Sequence, residues 1–340
     1  MKIFIQIVTS FVFAYWPILM MTSVMIFDSP GSTDNKKAIL LALSLAFIPV
    51  LIGLLYFFFN QTFWGIKPKT LLIITIIVSV LGSLLFGYPK LLLNNSKGIS
   101  SNGYFIKEDK VYYEGDLTEA KAFKFEAIDQ FQIYARDAEA VYFRGKKIPE
   151  AIASSFKAVL PQSSYFTDNA NIFYEGKKLV GVDASTFIQL KRDEIPTTYF
   201  KDKNAVYWFG KKIEGLKADS VKSLNESYIV DADSVFYLYT KISGADPATF
   251  VVFQDQDSWA KDSKAVYFRE MRYPNIDAST LEILSRGYAK DKSKVYYLDG
   301  KDMIVVEGAN PINFKVTNWD AQTKSEATDG AHFYLEGKAK

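Results

Sequence analysis

Tyr199-Phe200-Lys201-Asp202-Lys203-Asn204-Ala205-Val206-Tyr207-Trp208-Phe209-Gly210-Lys211-Lys212-Ile213 is the stretch that decides how most of this 340-residue chain is built. Val206-Tyr207-Trp208 is β-branched and aromatic, a strand composition. Asp202-Lys203-Asn204 ahead of it is turn-forming, because short acid and amide side chains bond their own local backbone. Gly210, just after it, sits where a tight hairpin needs positive φ. Short antiparallel strands joined by tight turns follow, two or three to a unit.

The same arrangement recurs along the chain. Its triplets are Val111-Tyr112-Tyr113, Val141-Tyr142-Phe143, Ile172-Phe173-Tyr174, Val206-Tyr207-Trp208, Val235-Phe236-Tyr237, Val266-Tyr267-Phe268 and Val295-Tyr296-Tyr297, with Phe333-Tyr334 last. Aligning Phe333 with the Val position gives spacings of 30, 31, 34, 29, 31, 29 and 38 residues. An acid stands four residues before the triplet: Asp137, Asp168, Asp202, Asp231, Asp262, Asp291 and Asp329. The first copy departs, with Lys107 there. Three residues before the acid comes Tyr134, Tyr165, Tyr199, Tyr228, Trp259 or Tyr288. Fifteen residues after the triplet's start comes an apolar side chain: Phe156, Phe187, Val221, Phe250 or Leu281; in the seventh copy Phe314 comes at nineteen. A unit of about 30 residues cannot bury its own apolar face, so neighbours must stack. The expectation is an all-β array of eight units over about residues 104–340, a curved or superhelical hairpin solenoid. A β-propeller is the alternative, although its blades usually need about 40 residues.

The quoted stretch, together with Tyr288-Ala289-Lys290-Asp291-Lys292-Ser293-Lys294-Val295-Tyr296-Tyr297, resembles the DKNYY repeat family. Gly181-Val182-Asp183-Ala184-Ser185-Thr186-Phe187 and Gly244-Ala245-Asp246-Pro247-Ala248-Thr249-Phe250 resemble its intervening segment. The resemblance covers the repeats and not the N-terminal third. It implies a bacterial, envelope-associated protein and brings no activity, cofactor or catalytic residue.

Residues 1–99 are of another kind. They carry seven Lys and two acids, Asp28 and Asp34, which leaves 33 basic and 36 acidic residues in the remainder. Three apolar runs, residues 3–27, 38–59 and 71–88, each approach the roughly 20 residues that cross a bilayer core. Three transmembrane helices are expected, connected through Asp28–Lys37 and Asn60–Thr70, with Tyr56 and Trp64 as interfacial aromatics. The first run is long for a signal peptide and lacks a small-residue cleavage site. No Asp, Glu, Lys, Arg or His lies inside a run, which argues against an ion or proton pathway. The division expected is an anchor over 1–99 and a repeat domain over 100–340.

Composition removes several classes of function. There is no cysteine for disulfide, metal or redox chemistry and a single histidine, His332. The net charge of +2 gives no field for nucleic acid. Walker A, G-x-S-x-G and H-E-x-x-H motifs are absent. Asp202, Asp262 and Asp291 are the repeated carboxylates a cation would use, with Asp183, Asp246 and Asp277 in the intervening segment. No D-x-D-x-D-G loop accompanies them, so they read as turn caps and no metal is expected. Trp208, Trp259 and Trp319 are the candidate binding aromatics, weighed against filling a thin β core.

The functional expectation is a membrane-anchored scaffold whose partners are the lipid bilayer and an envelope protein or polymer, with no cofactor. It is placed in the bacterial cytoplasmic membrane as a multi-pass protein with the repeats outside; the lysine count alone leaves orientation nearly tied. The alternative is an enzyme acting on an envelope polymer. It would use carboxylates of the irregular segment 307–328, which holds Trp319, Asp320 and Glu326.

Overall fold

The computed structural model describes residues 2–25, 36–254 and 256–340. It divides into two compact units, Met1–Asn169 with Glu175–Lys178, and Ala170–Tyr174 with Leu179–Lys340.

The first unit opens with five helices: α1 (Lys2–Met25), α2 (Lys36–Ala46), α3 (Ile48–Phe58), α4 (Pro68–Leu85) and α5 (Tyr88–Ser96). α1 and α4 are each long and apolar enough to cross a membrane. The second apolar run departs from the expected single span, because α2 and α3 meet at a bend of 51°. The cause is Pro49, whose ring removes the N–H that would bond the Leu45 carbonyl. That carbonyl accepts instead from Trp16 Nε1 of α1, at 3.1 Å. The third run also shifts from residues 71–88. It begins at Pro68, and Gly87 at φ 72 separates it from α5, to which Tyr88 belongs. The end of the first run, residues 26–27, and the Asp28–Lys37 connection as far as residue 35 lie outside the described residues. Trp64 is 57% exposed, whereas Tyr56 turns inward and shares a hydrogen bond of 3.1 Å with Thr9.

After the helices come eight antiparallel sheets, one for each sequence copy. The first has three strands (Tyr104–Lys107, Lys110–Tyr113, Asp116–Lys121) and the others four, each strand pairing with the next in sequence. In the fourth repeat the strands are Ile188–Arg192, Ile195–Lys201, Val206–Trp208 and Lys211–Lys212. The sequence reading undercounts strands because the outer ones are often only two residues long and polar. The hairpin after the triplet has the two positive-φ residues of a type I′ turn, such as Phe209 (φ 43) and Gly210 (φ 73).

The uneven spacings are extensions of hairpins. The spacing of 34 comes with the long Ile188–Arg192/Ile195–Lys201 pair. The spacing of 38 comes with Val295–Asp299/Asp302–Val305 and Lys315–Asp320/Ser325–Thr328. Segment 307–328 is therefore largely a longer hairpin of the same kind.

Strand alternation would put one face of each sheet in solvent. Within each unit that face is covered where one sheet stacks on the next. In the second unit Val206 packs with Phe236 of the next repeat, Val235 with Tyr267, Val266 with Tyr296 and Val295 with Tyr334. In the first unit Val111 packs with Tyr142 in the same way. The apolar residue fifteen positions on is the filling between sheets: Phe250 lies 5.4 Å from Tyr228 and 5.1 Å from Tyr267. Phe314 lies 5.3 Å from both Tyr288 and Tyr334, so its late position in sequence is absorbed by the longer hairpin.

Candidate functional site

The repeated acids are buried, each inside its own repeat. Asp202 Oδ1 accepts the N–H groups of Asn204 and Ala205, both at 2.8 Å. Its Oδ2 accepts the Tyr207 hydroxyl at 3.1 Å and the N–H of Asp183, nineteen residues upstream, at 2.7 Å. Asp262 repeats the set with Lys264, Ala265, Tyr267 and Asp246. Asp291 does so with Ser293, Lys294, Tyr296 and Asp277. Each carboxylate closes its turn, fixes the central aromatic of its triplet and holds the intervening segment against the sheet.

Electrostatics follow from this geometry. Burial alone would raise the Asp291 carboxyl. The N–H of Asp277, the Tyr296 hydroxyl and the Ser293 N–H and hydroxyl outweigh it and hold the pKa at about 2. Asp137, Asp262 and Asp329 are held low by the same balance. The tyrosines move the other way: burial, then the bond to Asp262, raise Tyr267 to about 12. Asp202, Asp262 and Asp291, the residues a cation would use, are thus brought to separate turns, their oxygens occupied by protein donors. Among the described residues no three His, Cys, Asp or Glu side chains gather as a metal-binding group.

The acids of the intervening segment are caps. Asp183 Oδ1 accepts the Ser185 N–H at 2.9 Å, and Asp277 accepts that of Ser279 at 2.9 Å. Both also pair with a lysine of the following turn, Lys203 at 2.6 Å and Lys292 at 2.9 Å. Asp246 accepts the Ala248 N–H at 3.1 Å.

Two further ties escape the sequence reading. The slot aromatic reaches the next repeat: the hydroxyls of Tyr104, Tyr134 and Tyr288 accept the hairpin N–H of Gly145, Gly176 and Gly337 at 2.9, 2.7 and 2.9 Å. Tyr228 donates to the Ser258 and Arg269 carbonyls. The basic residue before the acid also reaches forward, Lys201 to the Ala218 carbonyl (2.7 Å), Lys261 to Ala278 (3.0 Å) and Arg136 to Ala153 (2.9 Å). The signal for both was the fixed register of Tyr and Lys around the acid. What it cannot give is the partner, which lies 17 to 49 residues away.

The three tryptophans separate. Trp259 is 6% exposed and packs in the core against Phe268 at 5.0 Å, so its ring is a wall between sheets. Trp319 is 52% exposed on the long hairpin. Trp208 is half-buried among Tyr199, Phe209 and Tyr239.

In segment 307–328 Asp320 accepts the Gln322 N–H at 2.8 Å as a turn cap. Glu326 stands in the aromatic slot of the eighth repeat, is 9% exposed, and accepts the Glu336 N–H at 2.9 Å and the Tyr288 hydroxyl at 3.3 Å. His332, on the turn, is exposed, with Nδ1 3.6 Å from Asp329.

Apolar helices followed by an all-β array of small four-stranded sheets, tied by one recurring acid–tyrosine–amide contact, define a repeat protein. The DKNYY family model matches residues 55–177, 154–211 and 199–338, and the chain belongs to that family. The three overlapping matches follow the repeats. The first begins inside α3, so the likeness reaches further toward the N-terminus than the repeats to which the sequence reading confined it. No match was found among curated proteins or among solved structures.

Proposed function

We propose that the chain is a membrane-anchored scaffold of the bacterial cell envelope, with residues 1–99 as the anchor and 100–340 as a binding surface. One observation carries this reading: the repeated acids, slot tyrosines and flanking basic residues are engaged within and between repeats. The repeat's own chemistry thus holds the stack together, and what varies between repeats is its surface. Repeat stacks of this kind present long surfaces to partners. A head-to-tail contact, in which the Val face of one sheet meets the triplet aromatic of the next, propagates without needing to close. This supports a curved or superhelical array over a propeller. Phe333, in the Val position of the last sheet, is 44% exposed and fits the same reading.

The anchor is multi-pass, with the bent α2–α3 pair counted as one span. The repeats lie outside the cytoplasmic membrane, where an envelope protein or polymer is the partner. The carboxylates of segment 307–328 are used as a cap and a tie, which supports binding over catalysis. Protease added to intact spheroplasts tests the placement. The external arrangement requires loss of the 100–340 region before lysis; protection until lysis would put the repeats in the cytoplasm and remove envelope polymers as partners.

A further inference from the structure

Five repeats share one hairpin residue, and the fifth, sixth and seventh depart from it, with Tyr239, Glu270 and Asp299. The position that holds Gly115, Gly145, Gly176, Gly210 and Gly337 takes an aromatic side chain in the fifth repeat alone. Gly145, Gly176, Gly210 and Gly337 lie against the last triplet residue of the preceding repeat. A Cβ on Gly210 would come within 2.4 Å of the Tyr174 ring, and one on Gly337 within 2.7 Å of Tyr297. At the fifth repeat a phenol ring takes that place, 4.8 Å from Trp208. Phe209 meets the same indole edge-on, also at 4.8 Å. Phe209 and Tyr239 are 48% and 37% exposed.

The polar ends of these rings are already committed. Trp208 Nε1 donates to Thr198 Oγ1 at 2.9 Å, and the Tyr239 hydroxyl donates to the Trp208 carbonyl at 2.7 Å. The rings are held in place, and what remains for a ligand is ring surface. Two opposite charges flank it. The Lys211 ammonium stands 5.9 Å from the Tyr239 centroid, and the Glu226 carboxylate accepts the Thr198 hydroxyl at 3.3 Å.

We propose that Trp208, Phe209 and Tyr239, with Lys211 and Glu226, form a saccharide-binding subsite. The C–H face of a pyranose rests on the exposed rings, while its hydroxyls donate to Glu226 and accept from Lys211. Charge complementarity selects this occupant. A hydroxyl both donates and accepts, so a neutral polyol answers an ammonium and a carboxylate together. An apolar peptide side chain would cover the rings while desolvating both charges, and a polyanion would meet Glu226 as a like charge. The inference rests on the reading of the repeats as a binding surface and names the ligand class at one place on it.

The test titrates the full chain, in a detergent without a sugar headgroup, with a β-1,4-linked N-acetylglucosamine hexamer while tryptophan fluorescence is followed. A saturable change is expected, lost in Trp208→Phe and weakened about tenfold in Tyr239→Gly. Tyr239→Gly introduces the residue that five other repeats carry there, and an unchanged denaturant midpoint checks that the fold is kept. No saturable change up to about 10 mM hexamer, or equal binding by Tyr239→Gly, overturns the subsite. Binding of an aromatic-rich apolar peptide in place of the hexamer, lost in Tyr239→Gly, overturns the ligand class. Co-sedimentation with isolated cell walls separates the two levels. Wall binding without hexamer binding overturns the subsite alone; hexamer binding without wall binding leaves the subsite standing and overturns the envelope-scaffold reading.

Discussion

The helical region and the repeats treat polar and apolar atoms in opposite ways. In α1, α3 and α4 large apolar side chains point outward, Phe4, Phe58, Leu81 and Leu85 among them, while Thr9, Thr75, Ser79 and Ser83 are buried. In the repeats the slot tyrosines and triplet centres are inside, and buried aspartates such as Asp202, Asp262 and Asp291 have protein donors on both oxygens. The difference teaches that the two regions are built for different solvents. Helices satisfy their own backbone and can offer any side chain to lipid. Sheets of two- and three-residue strands cannot cover themselves, so each is finished by its neighbour.

The largest expected effect separates the two regions outright. Residues 100–340 produced alone should stay folded and monodisperse in plain buffer with a β-dominated circular dichroism spectrum, whereas residues 1–99 should need detergent. Aggregation of the repeat fragment on size exclusion would break the comparison.

Next in size is Tyr207→Ala. Tyr207 is 4% exposed and holds Asp202, and truncating a buried aromatic costs about 3–5 kcal/mol. The denaturant midpoint of the full chain in detergent should fall accordingly, and an unchanged midpoint would place the triplet's second residue outside the core.

The acids give a smaller effect, confined to one pH window. The folded pKa of Asp291 is about 2, against an ordinary 3.8. A carboxylate depressed by folding stabilises the folded state above its unfolded pKa, and the contribution is lost as pH falls through the folded value. Stability should therefore decline from about pH 4 to about pH 2. Asp137, Asp262 and Asp329 act in the same direction. Denaturant midpoints measured across this window check it. In Asp291→Asn the decline should be shallower, and an equally steep one would remove Asp291 as a contributor.

The smallest effect belongs to Lys211, exposed on its short strand. Lys211→Ala should shift the midpoint by no more than about 0.5 kcal/mol. A larger shift would mean the outer strands carry more of the stack than their length implies.

How much of this was legible follows from the range of each signal. The eight repeats, the alignment of Phe333 with the Val position and the turn-capping acids are local patterns, and the structure keeps them. The outer strands were illegible because Lys177-Lys178 and Lys211-Lys212 look like hairpin tips; only pairing to the triplet makes them strands. The second bond of each acid, Asp202 to Asp183 N–H, joins residues nineteen apart. The break at Pro49 depended on Trp16 being placed to take the freed carbonyl. Trp259 shows the limit for the candidate site: composition cannot separate an exposed aromatic from one lying between two sheets.

The central claim is that a slot tyrosine ties down the following repeat, as Tyr104, Tyr134, Tyr228 and Tyr288 do. Amide hydrogen exchange at Gly337, whose N–H is bonded to the Tyr288 hydroxyl at 2.9 Å, tests it most directly. In Tyr288→Phe the ring remains and the acceptor is gone. The Gly337 amide should exchange about tenfold faster while the ladder amides of Val295–Asp299 keep their rates. An unchanged Gly337 rate, or a uniform acceleration through the whole array, would contradict the account.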